Sequence, residues 1–407
     1  MDKFRFIDLF CGIGGFHQAM TKLGGECVFA SDIDEDCQKT YYENYGIRPI
    51  GDITKVEAKD IPEHDVLCGG FPCQAFSKAG KRLGFDDPTK GTLFFDIMRI
   101  VEYHHPKYIL LENVRNLASH DHGNTWNVIH NKLKKAGYNL LDEPVIFSPH
   151  YEGVPQHRER VFIMCVRKDI GKIPEFHFEP ENALPCSIDS ILLNDDEIPN
   201  LNKYQLTKEE VKLIDIWNEF LQNIKGPMPG FPVWADRLCP LDPTEDLSQY
   251  PDWKQTFIRK NNKLYLDNKK FIDKWLPKAR KCTKFFGSKA KLEWQAGKTD
   301  HPDIWSTIMH FRPSGIRCKG GTYFPALVAI TQTSIVGKKK RYLTPRECAR
   351  LQSFPDSFKY DAKEPQAYKQ FGNAVNVKLV ELFARYMFGD PTVRALYSRP
   401  TEIKKGQ

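Results

Sequence analysis

The chain predicts an α/β fold, a mostly parallel sheet covered by helices on both faces, with a second and smaller region inserted in it. Three observations carry that expectation. Through Asp169 short apolar runs alternate with amphipathic stretches of helical period. From Pro174 the alternation gives way to a proline-dotted, partly acidic stretch, and compact helical patterns return near the C-terminus. At 407 residues the chain is long enough for two domains, or for one domain with a large insertion.

Taken in order, FRFIDLF reads as a buried strand and GGFHQAMTKLGG as a helix closed by glycines. ECVFAS and DEDCQKTYYENYG follow as strand and helix. HDVLCG and KYILLENV are two further strands, with TLFFDIMRIVEYHH as the helix between them. NTWNVIHNKLKKAGY is a helix and RVFIMCVRKD a strand. Beyond them, TKEEVKLIDIWNEFLQ and VNVKLVELFARYMFG carry amphipathic helical patterns. No run is apolar enough to span a bilayer, and Met1-Asp2-Lys3 leads straight into a strand with no signal peptide. The eleven cysteines are scattered, without zinc spacing, so free thiols in a reducing cytoplasm are expected.

Net charge is +7, a mild excess that permits a polyanionic partner. The excess is concentrated: Lys254–Lys298 holds 14 Lys or Arg against 3 Asp or Glu, interleaved with Trp253, Phe257, Tyr265, Phe271, Trp275, Phe285, Phe286 and Trp294. Such a stretch suits a surface that follows a phosphate backbone, and equally a solvated lysine-rich face.

Candidate chemistry sits where strands end. In DLFCGIGGFH, Gly12, Gly14 and Gly15 lie between a strand and a helix and let backbone approach a ligand, although His17 stands where the dinucleotide fingerprint needs its third glycine. Asp32 closes the second strand, where a carboxylate can hold both hydroxyls of a ribose. Asp52 can accept from an adenine amino group. Each alone reads as well as a helix cap; together they suit a nucleoside without a phosphate requirement, such as S-adenosylmethionine. In VLCGGFPCQAFSKAG the thiol of Cys73 follows Pro72 just beyond an apolar run. Glu112 ends LLENV, where alone it reads more readily as a solvated loop residue than as a desolvated acid. Arg158 and Arg160, two apart in VPQHRERVF, share one side of an extended segment and can clamp an acceptor oxygen or simply pair with local acids. A thiol, a carboxyl and two guanidiniums at one sheet edge make a nucleophile, an acid and an electrophile holder.

These residues lie in blocks that closely resemble the bacterial DNA (cytosine-5) methyltransferases: DLFCGIGGF, ASDID, GDIT, GFPCQAFS, KGTLFFDI, LLENVRNL, QHRERVF, RYLTPRECARLQSFPDSF and AYKQFGNAV. They follow the family's order up to about residue 165 and again from Arg341. Cys11 replaces a common alanine and Asp32 a commoner glutamate. The resemblance implies an S-adenosylmethionine-dependent, Rossmann-like methyltransferase domain with a smaller inserted target-recognition domain. Residues 1–173 would be catalytic and cofactor-binding, 174–337 the variable recognition region, and 338–407 a return to the catalytic domain.

It also implies roles. Cys73 is the nucleophile that attacks cytosine carbon 6, aimed by Pro72. Glu112 bonds N3, Arg160 holds O2, and Arg158 supports Cys73 and its loop. Phe10, Gly12, Gly14, Gly15, Asp32, Ile33, Asp52, Ile53, Asn373 and Val375 line the S-adenosylmethionine site. The loop FSKAGKRLGFDD closes over DNA. Double-stranded DNA is the expected partner of a cytoplasmic monomer, with a restriction endonuclease encoded separately and no membrane. Three rivals remain: a tRNA methyltransferase, against which stand Phe71 before Pro72 and the lack of a Cys-Phe-Thr tripeptide; a non-catalytic DNA-binding regulator; and a thiol redox enzyme, which would need a resolving cysteine.

Overall fold

The apolar runs of the first half become the strands of one sheet. The computed structural model describes residues 3–72, 93–282, 287–298, 302–329, 333–361 and 363–398. Two units emerge: Met1–Ile191 with Pro325–Thr331 and Pro345–Gln407, and Leu192–Phe324 with Gln332–Thr344.

In the first unit, β1 (Phe4–Leu9), α1 (Gly15–Lys22), β2 (Gly25–Ser31) and α2 (Glu35–Tyr45) precede β3 (Val66–Gly70). Then come α3 (Leu93–His104), β4 (Tyr108–Val114), α4 (Asn124–Lys135), β5 (Tyr138–Leu140), β6 (Val145–Phe147) and β7 (Arg160–Arg167). The sheet runs β2-β1-β3-β4-β7-β5, with β6 also paired to β7. β1, β2, β3 and β4 are parallel to one another, and β7 is antiparallel to β4, β5 and β6. The stretch SPHYEGVPQ before β7 has no helical period, so no crossover helix is available to make that strand parallel. Burial of Ile7, Leu67, Ile109, Leu111 and Ile163 explains why these strands read as continuous apolar runs.

Residues 174–191 pack within this first unit. Phe176 and Phe178 meet the Phe147 ring edge-on at 5.7 and 4.9 Å, an aromatic contact that ties them to β6.

The second unit pairs helices with a second sheet. Its helix α5 (Lys208–Asn223) opens with a Thr207–Glu210 capping box. β8 (Val233–Trp234), α6 (Asp252–Asp267), α7 (Lys269–Arg280), β9 (Lys291–Gln295), β10 (Ile308–Arg312), β11 (Gly315–Lys319), β12 (Ile335–Val336) and β13 (Arg341–Tyr342) follow. The strand order is β13-β12-β10-β11-β9-β8. The basic stretch is thus largely two helices, and its aromatics obey helical period. Trp275 is 1 % exposed, packs on Trp217 and Phe220, and donates its indole N–H to the Ile216 carbonyl. Tyr265 and Trp294 are also buried, whereas Arg259, Lys260, Lys263, Lys270, Lys274 and Arg280 are exposed. Tyr265, Trp275 and Trp294 are core, while the Trp253 ring faces water with the lysines and arginines. Phe285 and Phe286 lie outside the described residues.

The chain then returns to the first unit as α8 (Pro345–Leu351), α9 (Glu364–Asn373), α10 (Val377–Phe388) and α11 (Pro391–Tyr397). Asn376 caps α10 through the Leu379 N–H, and Phe383 stacks on Phe162 of β7 at 4.3 Å. Among the described residues no helix is long and apolar enough to cross a membrane.

Truncating a buried Trp costs about 3–5 kcal/mol, and an exposed one typically within about 0.5 kcal/mol. Urea unfolding should therefore show W275A strongly destabilised and W253A, whose ring is 59 % exposed, near wild type. Equal effects would contradict the burial pattern.

Candidate active site

The C-terminal ends of parallel strands collect at one edge of the sheet. Here β1 delivers Phe10, β2 delivers Asp32, β3 delivers Phe71 and Pro72, and β4 delivers Glu112 and Asn113. Because β7 is antiparallel, its beginning lies at the same edge, with Arg160 abreast of Val114. Between these ends opens a cleft of about 460 Å³.

Eleven of the expected residues border it: Phe10, Gly12, Asp32, Ile33, Asp52, Ile53, Pro72, Glu112, Arg158, Arg160 and Asn373. Gly14, Gly15 and Val375 do not line this cleft; they meet other constraints. A Cβ on Gly14 would sit 2.2 Å from the Tyr45 ring, and one on Gly15 would sit 2.6 Å from Val375. These two glycines admit protein neighbours. Gly12 alone of the three borders the cleft, at φ +53 with open space where a Cβ would stand. Cys73 and the segment Phe76–Asp87 lie outside the described residues.

The nucleoside end is built from three acids with different tasks. Both oxygens of Asp32 accept backbone N–H groups, from Gly12 at 2.7 Å and Asp34 at 2.8 Å. This fixes the carboxylate, and each oxygen keeps a lone pair for a hydroxyl. Burial raises the Asp32 pKa against those two bonds. Asp34 caps α2 and is bound by Lys369 at 2.9 Å. Asp52 caps the 3-10 turn Ile53–Lys55, accepting from the hydroxyl and N–H of Thr54, which lower its pKa. The capping reading thus holds for Asp52 and not for Asp32. Ile33 is 75 % exposed on the wall of the cleft, an apolar plate suited to a flat ring. Phe10 holds φ +55, strained for a bulky residue, where β1 turns into the glycine loop. Fixed hydroxyl acceptors beside apolar plates fit the adenosyl part of S-adenosylmethionine.

At the other end, Arg160 Nε lies 3.1 Å from Glu112 Oε1. Burial raises the Glu112 pKa, opposed by Arg160 and Arg158, and the net direction is upward. Arg158 is 3 % exposed and donates to the carbonyls of Leu327 (2.8 Å), Gly372 (3.0 Å) and Ala374 (3.1 Å). Burial and the Arg160 charge bring its pKa down to about 9. Among the described residues it binds the segment at Leu327 and the end of α9. Sequence reasoning passed over Asn113 as a site residue. Its amide donates to the Phe71 carbonyl at 2.8 Å, gripping the peptide just before Pro72; its position after Glu112 in a buried strand end was the available signal. Cys37 and Asp34 also border the cleft, and their places on the first turn of α2 follow from the Asp34 cap.

A family profile described as C-5 cytosine-specific DNA methylase matches residues 4–389. The chain belongs to that family. Membership gives this methylase its activity, transfer of a methyl group from S-adenosylmethionine to carbon 5 of cytosine in DNA. It is 35% identical to type II methyltransferase M.AluI of Cellulosimicrobium cellulans, over 94% of this chain and 91% of that one. It is 36% identical to M.HhaI of Haemophilus parahaemolyticus, over 93% of each. Among solved structures, the fold is similar to S. pombe Dnmt2 (TM-score 0.50, 18% identity, 96% and 99% covered) and to a Spodoptera frugiperda DNMT2 variant (TM-score 0.51, 19% identity, 94% and 99% covered).

Removing a partner from a buried carbonyl costs about 1–3 kcal/mol. In N113A the Phe71–Pro72 peptide loses its tether, so single-turnover methylation should slow about tenfold or more while KM for S-adenosylmethionine stays within about twofold. An unchanged rate would show that Asn113 does not set the position of this turn.

Proposed function

We propose that this methylase works through a covalent Cys73 adduct on a cytosine extruded from duplex DNA, and that its second unit recognises the target sequence. One observation carries the reading. The register sets Gly70 of β3 against Glu112 of β4, so Phe71 and Pro72 leave β3 beside a carboxyl already paired with Arg160, and Cys73 is the next residue in sequence.

S-adenosylmethionine supplies an electrophilic methyl group. Cytosine carbon 5 is too weak a nucleophile to take it unaided. The Cys73 thiolate adds to carbon 6, converting carbon 5 into an enamine carbon, while Glu112 supplies a proton to N3 and Arg160 donates to O2. The upward pKa of Glu112 supports its role as the proton donor. After transfer leaves the methyl donor as a neutral thioether, the carbon 5 proton leaves to a base, water among the candidates, the carbon–sulfur bond breaks to free the thiolate, and N3 returns its proton to Glu112. Asp32 holds the ribose, Ile33, Ile53 and Phe10 flank the adenine, Asp52 faces its amino group, and Asn373 closes the rim. Gly14, Gly15 and Val375 shape the loop behind them. Arg158 positions the site and touches no reacting atom. The Phe76–Asp87 loop closes over the DNA.

The exposed lysines of α6 and α7 support a DNA-facing second unit, comprising most of residues 174–337. Relatives named type II methyltransferases support a place beside a separately encoded restriction endonuclease. A monomer in the cytoplasm completes the proposal.

A duplex carrying 5-fluorocytosine at the target should become covalently attached when S-adenosylmethionine is present, because fluorine cannot leave as a proton does. C73A should show no attachment while still binding the duplex. Attachment that survives in C73A would remove the nucleophile from this reading.

The acid predicts a pH dependence as well. Glu112 acts protonated and loses its proton as pH rises through its elevated pKa, so single-turnover rate should carry a falling alkaline limb. In E112Q the rate should drop about 10²–10⁴-fold and that limb should vanish. A limb retained in E112Q would assign the titration to another group.

A further inference from the structure

In the second unit the sheet has two unlike faces. Strand alternation sends Met309, Phe311, Ile316, Cys318, Leu292 and Trp294 into the helical core. Their strand neighbours His310, Arg312, Arg317, Lys319 and Glu293 therefore stand on the opposite face. The register places Arg317 directly across from His310 on one side and Glu293 on the other.

Arg317 differs from the other cations of that face. Its Nε donates to Glu293 Oε2 at 2.7 Å, and Glu293 is 9 % exposed, so the guanidinium plane is set by a buried carboxylate. The Arg317 side chain is 29 % exposed, and among the described residues its two terminal nitrogens make no hydrogen bond. Arg312 is exposed by comparison, and among the described residues no carboxylate anchors it. The imidazole across the strand adds no charge at neutral pH: burial and the charges of Arg312, Arg317 and Lys319 bring His310 down to about 4, and its Nε2 lies 3.2 Å from Ser334 Oγ. An ion pair serving only to glue two strands would gain most by closing both forks on one another; here one nitrogen is used and the outward pair is left open.

We propose that Arg317 is a base-reading residue of this methylase, presenting Nη1 and Nη2 end-on to O6 and N7 of a guanine in the major groove of the target, with Glu293 as the residue that positions it. This rests on the reading of the second unit as the part that contacts DNA. The chemistry is specific. A planar fork with its conformational freedom already spent matches the two acceptors of guanine, while cations without a buried carboxylate to orient them, such as Arg312 and Lys319, suit phosphates.

The test uses the full chain and a pool of duplexes randomised around the methylated cytosine, read by bisulfite sequencing. Melting temperature and S-adenosylmethionine binding serve as folding controls. R317A and R317K should both lose preference for one G·C pair by about 5- to 150-fold while other positions are kept. R317K should keep the salt dependence of binding, because its charge remains. E293Q should weaken the same position less. A double variant, Arg312→Ala with Lys319→Ala, should lower methylation on all sequences and flatten the salt slope without changing the motif. Should R317A fail to fold, R317K carries the same test. A wild-type motif in the Arg317 variants overturns the proposal, as does a preference restored by R317K or a loss spread evenly over all positions. If the double variant alone changes DNA binding, the DNA-contacting unit stands and only this inference falls. If every variant keeps the wild-type motif and salt slope, both fall.

Discussion

A guanidinium taken out of water must find acceptors or be discharged, and Arg158 meets that demand with three main-chain carbonyls drawn from Leu327, Gly372 and Ala374. Both segments are remote from it in sequence, and they also meet at a tight crossing in which Gly372 admits the Val328 carbonyl at the place of a Cβ. The buried charge thus brings the end of α9 to the sheet edge, with Asn373 on the rim of the cleft. The same charge acts at a distance on Glu112. Burial favours the neutral acid, the two arginines favour the carboxylate, and the net shift of the pKa is upward. A carboxyl held near that balance can keep a proton for a base and give it up without a large reorganisation.

The antiparallel course of β7 is the topological counterpart of this pairing. In an all-parallel sheet the beginning of a strand lies at the edge opposite the ligand. Reversing β7 brings its first residue, Arg160, beside the end of β4, and so sets Nε against Glu112 without any loop having to carry it. Rigid strand ends hold both partners, so the pair keeps its geometry whatever the segment after β3 does. Asn113 extends that rigidity by one hydrogen bond to the peptide before Pro72.

Much of this was legible in the sequence because strand and helix periods in the first half are clean, and because glycine, acid and thiol sit at strand ends. What was not legible follows from physics that a single pattern cannot carry. Gly14 and Gly15 look like ligand-approach glycines, yet Tyr45 and Val375 fill the space a Cβ would need. Asp32 and Asp52 read alike on paper; one is locked by two amides and the other caps a turn. The aromatics among the lysines looked like a stacking surface, but lysines on one helical face and rings on the other give the same composition. Only the three-dimensional partners of Trp275 and Tyr265 separate the two. Helices α6 and α7 were hidden for the same reason, since the count of charges drew attention from the 3.6-residue spacing of Ile258, Tyr265, Ile272 and Trp275.

The second unit divides its cations by how they are held. Exposed lysines on α6 and α7 are held at most by surface pairs, as Lys263 is with Asp267 and Lys278 with Glu219, and attract any polyanion, so whatever they contribute is common to every DNA sequence. Energy of that kind cannot favour extrusion at one site over another. Unstacking a base costs roughly a few kcal/mol, and a selective enzyme must draw it from contacts that exist only at the target. Contacts of that type need donors with fixed directions, because a mobile cation satisfies a phosphate as readily as a base edge. Directional donors in turn need a buried partner to fix them, as Glu293 fixes Arg317 on the strands. Selection of a sequence and the means to open it therefore place the same demand on the fold: a few cations anchored on a sheet within a surrounding field of free ones.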